Sequence, residues 1–239
     1  MFVPGVLFVH GWGGSQQQYR ARAAAVAALG YVCLTFDLRG HVETRARYET
    51  VSREDNLRDL NAAYELLVRH SSVDPTKIAV VGSSYGGYLA ATLSASVPVK
   101  WLVLRAPALY RDGDWQLAKM QLRQRQDLPA YRLETVRAED SRALRACAQF
   151  TGDALIVESE HDLMIPHQVI TNYRNAFTRA RSVTYRVLEG ADHGLSTEPA
   201  QRAYTELLVE WFKEMIGAGE PPSTDAPDPA DEPHAAEHV

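Results

Sequence analysis

Six short apolar runs recur along the chain: Gly5–His10, Tyr31–Phe36, Ile78–Gly82, Trp101–Arg105, Ala154–Glu158 and Val183–Leu188. The first five are apolar nearly throughout and do not alternate, the pattern of parallel strands covered on both faces. The intervening segments change period. Leu57, Leu60, Tyr64, Leu67 and Val68 recur at helical spacing behind a Ser52 and Asp55 pair placed as in a capping box. Tyr204, Leu207, Leu208, Trp211, Phe212 and Met215 form a second helical stripe. Its Trp and Phe read as core packing. Alternating strands and helices predict an α/β fold of three layers around a doubly wound, mostly parallel sheet.

Two regions break this rhythm. Residues 110–150, between two strands, are rich in Arg and Gln and helical in character, where one crossover helix would suffice. They read as a short helical cap inserted into a domain spanning 1–216. From 217 to 239 the chain is rich in proline and acid, with almost nothing to bury, and a disordered tail is expected there.

Composition narrows the class. The chain has 239 residues, 46% of them hydrophobic and 23% charged, as in ordinary globular proteins. The formal charge is −5, but the six acids of the tail account for it, and the remainder carries +1. No nucleic-acid surface or polybasic membrane patch is implied. With only Cys33 and Cys147, a disulfide framework is not expected, and Cys33 reads as a buried free thiol. The N-terminus lacks a basic leader segment, and Ala23–Phe36, broken by Gly30, is too short to span a bilayer. The expected compartment is the cytoplasm.

The chemistry centres on Gly82-Ser83-Ser84-Tyr85-Gly86, which fits G-x-S-x-G between a strand and the helical segment from Tyr88. In such an elbow the central serine stands exposed above the sheet at a strained turn. By position the nucleophile is Ser84. A hydroxyl needs a base, and the base needs a carboxylate to orient it. The loop after the fifth run holds Glu160, His161, Asp162 and, further on, His167; the loop after the sixth holds Asp192 and His193. His193 is the expected base, since it follows the last strand closely beside Gly194, and Asp162 the expected acid. Glu160 stands second, and the others read as ordinary loop residues. The first strand runs into His10-Gly11-Trp12-Gly13-Gly14, a loop able to turn amides toward the site, so the oxyanion donors are predicted to be the N–H groups of Trp12 and Tyr85.

These pieces together resemble the α/β-hydrolase superfamily of serine esterase type. The matching segments are H-G-W-G-G at 10–14, D-L-R-G-H at 37–41, G-S-S-Y-G-G at 82–87, E-H-D-L-M-I-P at 160–166 and A-D-H-G at 191–194. The lead-in V-D-P-T-K-I-A-V-V-G at 73–82 looks like the dienelactone-hydrolase, cinnamoyl-esterase and prolyl-oligopeptidase branches. Dienelactone hydrolases proper carry cysteine at the elbow, so Ser84 argues against their chemistry. By the family's strand order the usual first antiparallel pair is absent or minimal.

The resemblance implies a cofactor-free carboxylesterase that forms and hydrolyses an acyl-enzyme on a small-molecule ester; a monomer or homodimer is expected. No metal is expected, since His161 and His167 lack a third ligand at suitable spacing. His10, Arg39, His41 and Arg105 are candidate pocket residues, with Arg105 a candidate for recognising a substrate carboxylate. The many arginines of the cap read as an ion-paired, solvated face. Alternatives are a peptidase or amidase, a thioesterase, an acyltransferase, or a non-catalytic binder of a small ligand on the same fold.

Overall fold

All six apolar runs become strands, because each supplies side chains to both faces of one sheet. A computed structural model describes residues 2–217. The strands are β1 (Val3–Val9), β2 (Val32–Thr35), β3 (Val73–Ser83), β4 (Trp101–Arg105), β5 (Asp153–His161) and β6 (Ser182–Asp192). They lie in the order β2-β1-β3-β4-β5-β6, and every neighbouring pair is parallel. The registers Leu7–Val80, Val80–Leu102 and Leu102–Ala154 place one continuous apolar row across the centre.

Among the described residues eight α-helices accompany the sheet: α1 (Arg20–Ala27), α2 (Arg53–Val68), α3 (Tyr85–Leu93), α4 (Leu122–Arg125), α5 (Leu128–Tyr131), α6 (Arg142–Gln149), α7 (His167–Ala176) and α8 (Glu198–Gly217). Successive strand residues point to opposite faces, and the core divides accordingly. Leu7, Val80, Leu102, Leu104 and Ile156 face α2, α3, α6 and α7. Phe8, Val81, Trp101, Val103 and Leu155 face α1 and α8. This is the three-layer α/β arrangement that the alternation predicts.

Local signals hold where they were specific. Ser52 caps α2: its hydroxyl accepts the Asp55 N–H, and the Asp55 carboxylate accepts the Ser52 N–H. On α8, Tyr204, Leu208, Trp211 and Phe212 are buried against the sheet. Cys33 and Cys147 are free; Cys147 is buried, but Cys33 is only half-buried.

Residues 106–152 leave the sheet between β4 and β5 and hold α4, α5 and α6, with one 3-10 turn before α4 and another before α6. The fully buried Arg53 of α2 fastens this segment. Its guanidinium donates to the carbonyls of Arg111 and Gly113 and to the Tyr88 hydroxyl. An isolated antiparallel bridge, Ser52 to Ala118, fixes the other side. Of the tail expected over 217–239, Gly217 closes α8, and residues 218–239 lie outside the described residues. Among the described residues no helix is long and apolar enough to cross a membrane.

Because Leu102 is fully buried in the central row, Leu102→Ala is expected to lower unfolding stability by about 2–5 kcal/mol through lost burial and the cavity left behind. Urea unfolding of both proteins measures it; a change below about 1 kcal/mol would mean that this strand is not central to the core.

Candidate active site

The site forms where β3 turns into α3. Ser84 occupies the turn at φ 52° and ψ −118°, a conformation that a side chain rarely adopts. Two close approaches hold it there. A Cβ on Gly86 would lie 2.3 Å from the Val9 carbonyl oxygen and 2.5 Å from that of His10. A Cβ on Gly82 would lie 2.4 Å from the Gly86 carbonyl oxygen. Only glycine lets the first turn of α3 sit against the end of β1 at that separation. The Ser84 N–H donates to the Arg105 carbonyl, and its own carbonyl accepts from Ala108 and Tyr88. The backbone is thus fixed on both sides of the strained residue.

The side chain of Ser84 meets His193, from the loop after β6. Ser84 Oγ lies 3.0 Å from His193 Nε2, and His193 Nδ1 lies 2.7 Å from Asp162 Oδ2. The other carboxylate oxygen, Asp162 Oδ1, accepts the N–H groups of Met164 and Ile165, each at 2.8 Å. Burial alone would raise the Asp162 pKa. The hydrogen bond and charge of His193, with the two amides, outweigh it and hold the carboxyl below its ordinary range. Asp162 is therefore an anion at neutral pH with both oxygens committed. Neutral His193 with its proton on Nδ1 donates to Asp162 and leaves Nε2 to accept from Ser84.

The rival acids are engaged elsewhere. Glu160 accepts the Gly190 N–H at 2.7 Å, and Asp192 accepts the Ser196 N–H at 2.8 Å. His167 pairs with Glu158. Among the described residues no carboxylate but Asp162 reaches the ring of His193.

The loop at 10–14 runs beside the serine, with Gly11 against Ser84. Among the described residues the amides of Trp12 and Tyr85 donate to no protein acceptor, whereas Gly13 N–H is taken by His41 Nε2 at 3.0 Å. His10 and His41 are thus loop braces. Both are buried. His10 Nε2 accepts the Leu38 N–H at 2.9 Å while its Nδ1 bonds the Gly11 carbonyl. His41 Nδ1 reaches the Leu38 carbonyl. Burial lowers both imidazole pKa values, that of His10 to about 4, so both are neutral at pH 7.

A cavity of about 280 Å³ opens beside Ser84 and His193 on the α1 and α8 side. Of the four candidate pocket residues only Arg105 lines it. His10 and His41 are consumed by the loop, a correction that follows from their burial. Arg39 turns away toward α2, where it pairs with Asp59 at 2.8 Å and Asp55 at 3.3 Å; a long charged side chain finds its counter-ions there and not in the pocket. Arg105 itself donates to the Ser159 hydroxyl and to the Asp192 and His193 carbonyls, anchoring the histidine loop.

Two polar residues at the site have no counterpart in the sequence reading. Arg22 lines the cavity and is buried. Its signal was available, since Tyr19, Arg22, Ala23 and Val26 share one helical face whose other members are apolar. Lys119, from the segment after β4, places Nζ between the rings of Trp12, Tyr85 and Tyr110 at 4.8–5.3 Å. Burial, with Arg123 and Arg132 nearby, lowers its amine to about 7. No local pattern marks that lysine. Among the described residues no cluster of His, Cys, Asp or Glu could hold a metal ion.

Comparison with known proteins agrees with this fold. Residues 17–219 match the prolyl oligopeptidase family. An uncharacterized protein of Mycobacterium tuberculosis, Rv2307c, is 36% identical over 104 residues, which are 44% of this chain and 36% of that protein. The match thus spans about a third of that relative's length. Among solved structures, that of the metagenome-derived lipolytic enzymes LipS and LipT superposes with a TM-score of 0.70 at 19% identity, over 89% of this chain and 94% of that one. Est1E of Butyrivibrio proteoclasticus, determined with bound ferulic acid, gives 0.68 at 18% identity over 90% of both chains. Both likenesses establish the α/β-hydrolase fold.

The two loop-bracing histidines generate a pH dependence. An unfolded histidine takes up its proton near 6.5, but folded His10 resists until about 4. The unfolded state then binds more protons across that window, so stability falls as pH drops from about 6.5 to about 4, by on the order of 3 kcal/mol for His10. Urea unfolding across pH 4–7 is expected to reveal this slope, and His10→Asn to reduce it. An equal slope in that variant would contradict the assignment.

Proposed function

The chain belongs to the prolyl oligopeptidase family, and within it we propose a serine hydrolase that cleaves carboxylic esters through an acyl-enzyme. The observation that carries this reading is the continuous chain from Ser84 Oγ to His193 Nε2 at 3.0 Å and from His193 Nδ1 to Asp162 Oδ2 at 2.7 Å. The lipolytic enzymes and the ferulic-acid-bound Est1E among the structural neighbours favour esters as the substrate class.

In the proposed reaction Ser84 Oγ bonds to the ester carbonyl carbon as its proton passes to His193 Nε2. Asp162, already anionic, stabilises the imidazolium and holds its orientation. The carbonyl oxygen takes up the negative charge against the free amides of Trp12 and Tyr85, the latter at the N-terminus of α3. Each such donor lowers the barrier by about 3–4 kcal/mol. Collapse breaks the bond to the alkoxide, which takes the proton back from His193 and leaves as the alcohol. Water then adds to the acyl carbon, giving its proton to His193, and the carboxylic acid departs with Ser84 restored. Ester and water thus yield acid and alcohol, with no cofactor in the sequence of steps.

The family's name favours a second reading, cleavage of a peptide bond, which the same three groups could perform. A substrate panel separates the two. Short acyl esters are expected to turn over with kcat/KM well above that of prolyl peptide anilides; the reverse order would select the peptidase. A fluorophosphonate is expected to label Ser84, and Ser84→Ala to abolish labelling and lower kcat/KM by about 10⁴-fold or more. Absence of labelling in the folded wild-type protein would refute the hydrolase reading.

A further inference from the structure

The cavity beside Ser84 is lined by two buried arginines, Arg22 and Arg105, and by no Asp or Glu. Elsewhere in the molecule arginines find carboxylates, as in Arg39 with Asp59, Arg111 with Glu134 and Arg181 with Asp153. Neither Arg22 nor Arg105 has such a partner among the described residues. A buried cation without a counter-ion is costly, and two of them disfavour each other. Here both guanidinium groups lie near one ring, that of Tyr204, at 5.1 and 5.9 Å from its centroid.

Structural roles account for only part of their hydrogen-bonding capacity. Arg22 Nη1 donates to the Gln18 carbonyl in its own turn, and Arg105 Nη2 anchors the histidine loop. The Nε of each is buried with no acceptor. Arg22 Nη2 and Arg105 Nη1 likewise meet no protein acceptor among the described residues. Arg53 is also buried without a carboxylate and its Nε too lacks an acceptor, but both its terminal nitrogens reach carbonyl oxygens, and it lies outside the cavity. Arg22 keeps its Nε and Nη2 edge unused and Arg105 its Nη1, in two side chains that line the space beside the Ser84 hydroxyl, and such cationic donors suit the oxygens of a carboxylate.

We propose that this cavity is a carboxylate subsite, and that the substrate is a small ester bearing a free carboxylate a few atoms from the scissile bond, held by Arg22 and Arg105. The cavity volume of about 280 Å³ suits a short chain and not a long acyl group. Charge supplied by the substrate relieves the repulsion between the arginines on binding, so recognition and stabilisation of the pocket are one event. The inference rests on the reading of Ser84 as nucleophile for its kinetic consequence, but the anion binding can be measured without it.

The test compares monoethyl esters of succinate, glutarate and adipate, and the acetyl esters of glycolate and 3-hydroxypropionate, with neutral analogues in which a carboxamide replaces the free acid. For at least one chain length the anionic ester is expected to be favoured at least tenfold in kcat/KM, with the preference shrinking as salt rises. Arg22→Gln is expected to reduce that ratio tenfold or more, and Arg22→Lys to retain part of it. Arg22 is chosen because Arg105 also anchors the histidine loop. Glutarate should bind the wild-type protein, measured by calorimetry, at least tenfold more tightly than glutaramide, a readout that needs neither turnover nor a folded variant. Equal kcat/KM for charged and neutral esters together with equal binding of glutarate and glutaramide would overturn the subsite. Loss of fluorophosphonate labelling at Ser84 would instead refute the hydrolase reading, and glutarate binding would then decide the subsite alone.

Discussion

One backbone contact governs the rest of the site: the passage of Gly86 against the carbonyl oxygens of Val9 and His10. It brings the start of α3 to the end of β1 at a distance that excludes even a methyl group. Because α3 sits so close, the chain must turn within a single residue, and Ser84 takes the strained conformation. The strain is sustained by hydrogen bonds on either side, to Arg105, Ala108 and Tyr88. It lifts the hydroxyl out of the sheet edge and toward the loops that follow β5 and β6. The same contact sets the loop after β1 beside the serine, where Trp12 and Tyr85 present their free amides.

Around that contact the protein uses buried polar groups as braces. His10 and His41, neutral through burial, hold the loop after β1 to the turn after β2. Arg105 holds the loop that carries His193, and the second oxygen of Asp162 is tied to the turn behind it. A reacting group displaced by an ångström loses much of its effect, and these bonds restrict such displacement. Arg22 and Arg105 differ from the braces in keeping donors unused. That surplus is what sets their cavity apart from an ordinary packing gap.

Much of this was legible in the sequence, and the physical reason is the same throughout: local patterns with a single structural solution survive translation. The apolar runs predict buried parallel strands because their residues pack on both faces. The glycines at 82 and 86 flank a serine at a strand-to-helix change, which few other arrangements require. His193 and Asp162 follow from chain order once that turn is placed. What was not legible depended on long-range partners. His10, His41 and Arg39 carry no mark distinguishing a pocket wall from a brace, and their roles are decided by Leu38, Gly13, Asp55 and Asp59, residues distant from them in the chain or on other elements. Lys119 is invisible for the same reason, being defined by three rings that come from three separate segments.

The central claim is that this crossing of backbones aims the Ser84 hydroxyl at His193 while keeping two amides free for the opposite oxygen. A crystal structure of the protein after reaction with a small phosphonate measures that most directly. The account predicts phosphorus bonded to Ser84 Oγ, with one phosphoryl oxygen about 2.7–3.1 Å from the backbone nitrogens of both Trp12 and Tyr85. An adduct whose oxygen faces away from both amides, or one formed on another residue, would contradict it.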